Sequence, residues 1–157
     1  MSHGLAEAIE AEVLSTDDVR RELQRSGVIS GQPGSLDDGL YTPENVAIVY
    51  DEVSRRARQL LANGRSTILD GTWRDSRQRD RARELARAMA APISEFTCSV
   101  PTSVASERIE NRPPSASDAT PQIAVALADR NNEPLDGYRV DTGRPLFESV
   151  ADVRRHI

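Results

Sequence analysis

Short apolar runs and stretches of helical periodicity take turns along this chain, and that alternation constrains its fold more than any other feature. "EVLS" (Glu12 to Ser15) reads as a short strand, as do "RSTILDG" ending at Asp70, "PISEFTCSV" around Cys98 and "GYRVDTG" around Val140. Helical segments lie between them. Leu5 to Glu10 reads as the tail of a helix, and another runs from Asp17 to about Arg25 with Ser15 or Thr16 as its cap. The clearest helix takes Thr42 as cap and Pro43 at its first position, and Gly64 stops it. It puts Val46, Val49, Tyr50, Val53, Ala57, Leu60 and Leu61 on one face. Further helices are expected from about Ser76 to Ala90 and over "PTSVASERIENR" up to Pro113. Two more are expected from Thr120-Pro121 to about Asn131 and over "PLFESVADVRRHI". "SGVISGQPGSLDDG" reads as a loop. Strands and helices at this spacing imply βαβ units and a parallel sheet covered on both faces. Ligands of such sheets bind at the carboxyl ends of the strands.

Three of the four strands end in groups with chemistry to offer: Ser15-Thr16-Asp17-Asp18, Asp70-Gly71-Thr72 and Asp141-Thr142-Gly143. An apolar run ending in Asp70 suits an acid that holds Mg²⁺ beside a nucleotide phosphate, although many such residues merely cap the next turn. Asp17, at a strand end and a helix start, suits a general base for a hydroxyl. Arg20 lies one turn on, on the same face, and could hold an anionic substrate; the bland reading is a surface arginine. Arg108 and Arg112 share a helix face just before the Pro-rich stretch, as arginines on a lid over a moving phosphoryl group would. A solvated lattice with Glu107 and Glu110 has the same spacing. Trp73 could line an acceptor pocket or simply pack. Cys98, on an apolar strand, is expected to be a small core residue. His3 and His156, near the two ends, are expected to be solvated side chains.

The 157 residues suit one domain, with a lid region at about 102–122. The net charge is −5 and no basic run occurs, which argues against a nucleic-acid partner and for a small molecule. A single cysteine excludes a disulfide framework and a cysteine metal cluster. No stretch is long and apolar enough for a membrane span, and no signal peptide is evident, so the expected location is cytoplasmic. All 20 basic residues are arginine. Without a lysine, no G-x-x-x-x-G-K-[ST] phosphate loop exists in any register, and "GRST" at Gly64 and "GQPGS" at Gly31 are not substitutes.

"VLSTDDVRREL", "GVISG", "GLY", "STILDGTW", "FTCSVPTSVASERIENR", "SDAT" and "VDTG" follow one another in an order that resembles P-loop kinases of the AAA_33 type. These are similar to the kinase domains of polynucleotide kinase, zeta toxins and chloramphenicol phosphotransferase. The strongest resemblance is to the C-terminal ATP-binding domain of actinobacterial proteins that begin with an aminoglycoside-phosphotransferase-like domain. The resemblance covers essentially the whole chain. It implies an α/β, parallel-sheet P-loop NTPase fold of the nucleoside-kinase type, lacking its first strand and P-loop. Roughly 10–20 residues ahead of Met1 would supply them. That strand would lie between "TILD" and "FTCSV", so its absence would leave two unpaired inner edges.

The resemblance also implies an activity, transfer of the γ-phosphate of ATP, with Mg²⁺, to a small hydroxylated acceptor. Asp17 would be the base, Arg20 an acceptor contact, Asp70 the acid near Mg²⁺, and Arg108 and Arg112 the lid arginines. Asp141, Thr142 and Arg144 would lie near the adenine. Without the phosphate loop, activity would be impaired. The competing expectations are a degenerate kinase fold serving as a binding or assembly module, and a sheet-edge binding protein unrelated to nucleotides.

Overall fold

A computed structural model of the chain describes residues 1–33, 37–111, 118, 120 and 137–157. Its elements are helix α1 (Ser2–Ile9), strand β1 (Glu12–Ser15), α2 (Thr16–Arg25), a 3₁₀ turn (Gly39–Tyr41), α3 (Pro43–Ala62), β2 (Thr67–Asp70), α4 (Ser76–Ala88), β3 (Phe96–Ser99), α5 (Thr102–Asn111), β4 (Tyr138–Asp141) and α6 (Leu146–Arg154). The order is the expected alternation. The helix expected from Thr120 to Asn131 falls almost entirely outside the described residues. The 3₁₀ turn begins at the last residue of the stretch expected to be a loop and bridges it to α3.

Local chemistry sets the boundaries. Ser15 Oγ accepts from Asp17 N at 3.3 Å and caps α2. Thr42 Oγ1 accepts from Asn45 N at 3.3 Å, and Pro43, which has no N–H to satisfy, opens α3. Asp75 caps α4 through Arg77 N.

β1 pairs with β2 and β3 with β4, each pair parallel, and the two pairs are not hydrogen-bonded to each other. The registers place Ser15 opposite Asp70 and Ser99 opposite Asp141, so the carboxyl ends within each pair are level. Among the described residues, β2 and β3 each have one strand neighbour.

Alternate residues of a strand face opposite sides, and the packing follows. Leu14 and Leu69 lie against Val19, Ile29, Leu40, Val49 and Val53, the cluster made with α2 and α3. Ile68 turns the other way, into a second cluster of Leu5, Val140, Val150 and Val153, which Phe96 also joins. This cluster draws residues from β2, β3, β4, α1 and α6, so apolar packing under α1 connects the strand pairs that backbone bonds leave separate. Of the face expected on α3, Val49, Tyr50, Val53 and Ala57 are buried, while Val46, Leu60 and Leu61 are half-buried.

Cys98 corrects an expectation: it is exposed rather than a core residue. Side-chain burial depends on what covers the face of a strand, and Cys98, two residues beyond Phe96, is not among the residues packed into the second cluster. His3 and His156 are exposed, as expected, and the His156 ring also stacks on Tyr138 at a centroid distance of 3.6 Å.

Candidate functional site at the strand ends

The ends of β1 and β2 meet closely. A Cβ on Gly71 would fall 2.7 Å from Thr16 Cγ2 and 2.8 Å from its Oγ1. Thr16 is itself buried. Glycine thus lets the turn after Asp70 close onto the start of α2, where Asp17 sits.

Asp17 is held by its own helix. Arg20 Nη1 donates to Asp17 Oδ1 at 2.7 Å, with the Arg20 side chain 7% exposed and that of Asp17 30% exposed. The Arg20 guanidinium lies 4.4 Å above the centroid of the Tyr41 ring, and its Nε is buried without a hydrogen-bond partner. An unpaired buried donor costs about 1–3 kcal/mol, and a desolvated cation–π contact returns about 2 kcal/mol. Tyr41 Oη donates to Asp118 Oδ2 at 3.2 Å, and Arg21 reaches Asp118 Oδ1 at 3.4 Å. Burial pushes the Tyr41 phenol up to about 12; Arg20 works against that shift, and Asp17 and Asp118 add to it. Tyr41 therefore stays a neutral donor at physiological pH.

Asp70 is exposed at the end of β2 and accepts from Ser2 Oγ at 2.7 Å. One carboxylate and one hydroxyl, side by side, match what Mg²⁺ takes from protein when phosphates and water complete its octahedron. The described residues contain no group of three or more His, Cys, Asp or Glu able to hold a metal. The residues present fit Mg²⁺ only as a shared ligand of protein and nucleotide.

The remaining expected residues are placed differently. Arg108 Nη1 donates to the Thr142 carbonyl at 2.8 Å, tying α5 to the turn after β4. In that turn Asp141 accepts from Gly143 N at 2.8 Å and Arg144 Nε at 3.3 Å, while Thr142 Oγ1 donates to the Ser99 carbonyl at 3.1 Å. Trp73 has its polar groups satisfied within the protein. Its N donates to Tyr50 Oη at 3.1 Å, its Nε1 to the Leu69 carbonyl at 3.2 Å, and its ring meets Tyr50 edge-on at 4.8 Å. Arg112 lies outside the described residues. The structure thus gathers Asp17, Arg20, Tyr41 and Asp118 in one group, Asp70 and Ser2 in a second, and Arg108, Asp141, Thr142 and Arg144 in a third. Ser2, Tyr41 and Asp118 carry no role in the sequence reading. Tyr41 and Asp118 lie in the "GLY" and "SDAT" segments, but the pairing across 77 residues has no local signature.

The sequence profile of AAA_33, described as an AAA domain, matches residues 1–135. The chain belongs to this family. Uncharacterised proteins of Mycobacterium tuberculosis strain H37Rv and Mycobacterium bovis are each 49% identical to it over 150 residues, 96% of this chain. The chain spans 30% of the length of these relatives. Two crystal structures share the fold. One, a candidate kinase from Chloroflexus aurantiacus, has TM-score 0.67 and 21% identity and covers 99% of this chain and 89% of its own. The other, a gluconokinase from Sinorhizobium meliloti, has TM-score 0.65 and 16% identity and covers 98% and 82%. This AAA_33 chain has an α/β, parallel-sheet fold of the P-loop NTPase type and resembles P-loop kinases. Among the described residues, no helix is long and apolar enough to cross a membrane.

Proposed function

We propose that this AAA_33 domain transfers the γ-phosphate of ATP to a hydroxyl of a small molecule. The observation that carries the reading is the closed corner at the strand ends, where the Gly71–Thr16 approach sets Asp17 beside the end of β2 that bears Asp70. Asp17 accepts the proton of the acceptor hydroxyl. Arg20 holds the Asp17 carboxylate and faces the acceptor. Asp70 and Ser2 are the residues that would hold Mg²⁺, which when bound neutralises charge on the nucleotide phosphates. Arg108 and Arg112 belong to a lid of about 102–122 on the same single domain, and Asp141, Thr142 and Arg144 line the adenine side. Trp73 borders the acceptor pocket with its ring. The mycobacterial relatives are longer than this chain, and a phosphotransferase-like domain is the proposed neighbour within such a polypeptide. The 157 residues hold no lysine, so the phosphates are met by arginines, backbone amides or residues outside this stretch.

The test is Asp17→Asn in the polypeptide that contains these residues. Turnover of ATP with acceptor should fall roughly 10²–10⁴-fold while ATP binding is unchanged. Unchanged turnover refutes the base assignment. A folded protein that binds no ATP refutes the kinase reading and leaves the binding or assembly module in its place.

A further inference from the structure

Helix α6 leaves a stripe of apolar residues uncovered, on the opposite side from its packing into the second cluster. Phe147 is 72% exposed, the most open large apolar side chain among the described residues, and Leu146 beside it is 55% exposed. With Gly4, Val150, Ala151 and Arg154 they line an open recess of about 470 Å³. Positions 146, 147, 150, 151 and 154 recur at helical spacing, so the stripe runs the length of α6. α1 makes the other wall: a Cβ on Gly4 would lie 3.4 Å from Leu146 Cδ2 and 3.5 Å from Val150 Cγ2. Gly4 and Ala151 leave room in the recess, while Phe147 stands out from it. Arg154 closes the far end, and among the described residues it has no hydrogen-bond or ion-pair partner. An occupant of matching chemistry is apolar along its length and acidic at the Arg154 end.

The size of the groove selects among occupants. A partner that binds from solution uses roughly 20–30 residues a side, far more than line this recess. A partner in the same polypeptide needs less, because a short linker holds it at a roughly millimolar effective concentration. The relatives have length for one: the mycobacterial proteins, 49% identical, are matched over only 30% of their own length. The groove also lies beside both ends of these 157 residues, with Gly4 three positions from Met1 and Arg154 three from Ile157. Polypeptide joined at either end thus starts within about 10 Å of a lining residue. We propose that the α1–α6 groove seats the neighbouring domain of a longer polypeptide. The contact is an apolar segment of that domain, laid over Leu146 and Phe147, with a carboxylate opposite Arg154. The proposal is independent of the reading of Asp17 as a base.

The test is hydroxyl-radical footprinting of the native polypeptide that contains these residues, read by mass spectrometry. Phe147 should be oxidised severalfold more slowly in the folded protein than in urea. A folded rate close to the unfolded one matches an open side chain and overturns the proposal. So does a native polypeptide with no domain beyond these 157 residues. Protection that vanishes on dilution, with a doubled mass by light scattering, puts a second copy in the groove and also overturns it. Phe147→Asp places a carboxylate in the first turn of α6, where the helix dipole favours it, so the fold should hold and far-UV circular dichroism should be unchanged. Leu146 should then oxidise severalfold faster, and an unchanged Leu146 rate refutes the docking. Arg154→Gln should raise the Phe147 rate at low salt and leave it unaltered at high salt, where screening has already weakened the ion pair. No rise at low salt overturns the assignment of a carboxylate opposite Arg154.

Discussion

Gly71→Ala isolates the contact that closes the corner of the site. The added methyl would lie 2.7 Å from Thr16 Cγ2 and 2.8 Å from Oγ1, well inside van der Waals contact. Thr16 is 5% exposed and begins α2, so it has no open side to yield toward. Overpacking of this kind costs about 1–3 kcal/mol, and the stiffer unfolded chain returns about 0.4–1 kcal/mol. The net loss is about 1–2 kcal/mol, or roughly 2–8 °C in Tm for a chain of this size. Thr16→Ala removes both atoms the methyl strikes. In that background Gly71→Ala should cease to destabilise and gain up to about 1 kcal/mol. Urea unfolding of the four proteins in the cycle gives the coupling directly. If Gly71→Ala costs the same with and without Thr16→Ala, the two sites are independent. The close approach would then not set the position of Asp17.

Two further outcomes concern stability. Glu52 takes two bonds from Arg55, at 2.7 and 2.8 Å, and one from Arg56 at 2.8 Å. The Arg55 bond is the first cause that holds its carboxyl near 2 rather than 4.5. A lowered folded-state value means the stabilisation is full above about 4.5 and fades as the pH falls toward about 2. Glu52→Gln should therefore melt below the parent at pH 7, with the Tm difference closing across that window; a difference constant with pH would contradict it. Leu5→Ala should cost about 2–4 kcal/mol by urea unfolding, because Leu5 is 7% exposed in the cluster shared by α1, β2, β3, β4 and α6. A loss under 1 kcal/mol would remove α1 from its role as connector.

Much of the fold was legible because its signals are local. Thr42-Pro43 and Ser15 stand at helix starts, where side-chain oxygens meet free N–H groups, and the structure starts α3 and α2 there. Short stretches marked all four strands, although the last three were drawn longer than the four residues found, the third most of all at its N-terminal end. The site was less legible because its contacts are long-range. Asp17 with Arg20 is an i,i+3 pair that spacing predicts. Ser2 with Asp70 spans 68 residues, and Tyr41 with Asp118 spans 77. The structural reason for Gly71 lies in Thr16, 55 positions earlier in the chain, where no local signal points to it. Cys98 misled because an apolar strand context does not show how far along the strand the covering cluster reaches.

The separation of the two strand pairs has a mechanical meaning. Hydrogen bonds are directional and fix register and twist, whereas apolar packing is not and resists sliding far less sharply. Asp70 ends β2 and Asp17 follows β1 in the first turn of α2, while Asp141 ends β4 and Thr142 follows it. Within each pair the strand ladder fixes the register of the strand ends. Between the groups the spacing is set by a soft joint of Leu5, Ile68, Phe96 and Val140. Among the described residues, side-chain packing rather than a hydrogen-bonded ladder therefore sets how the Asp17–Asp70 end meets the Asp141–Thr142 end.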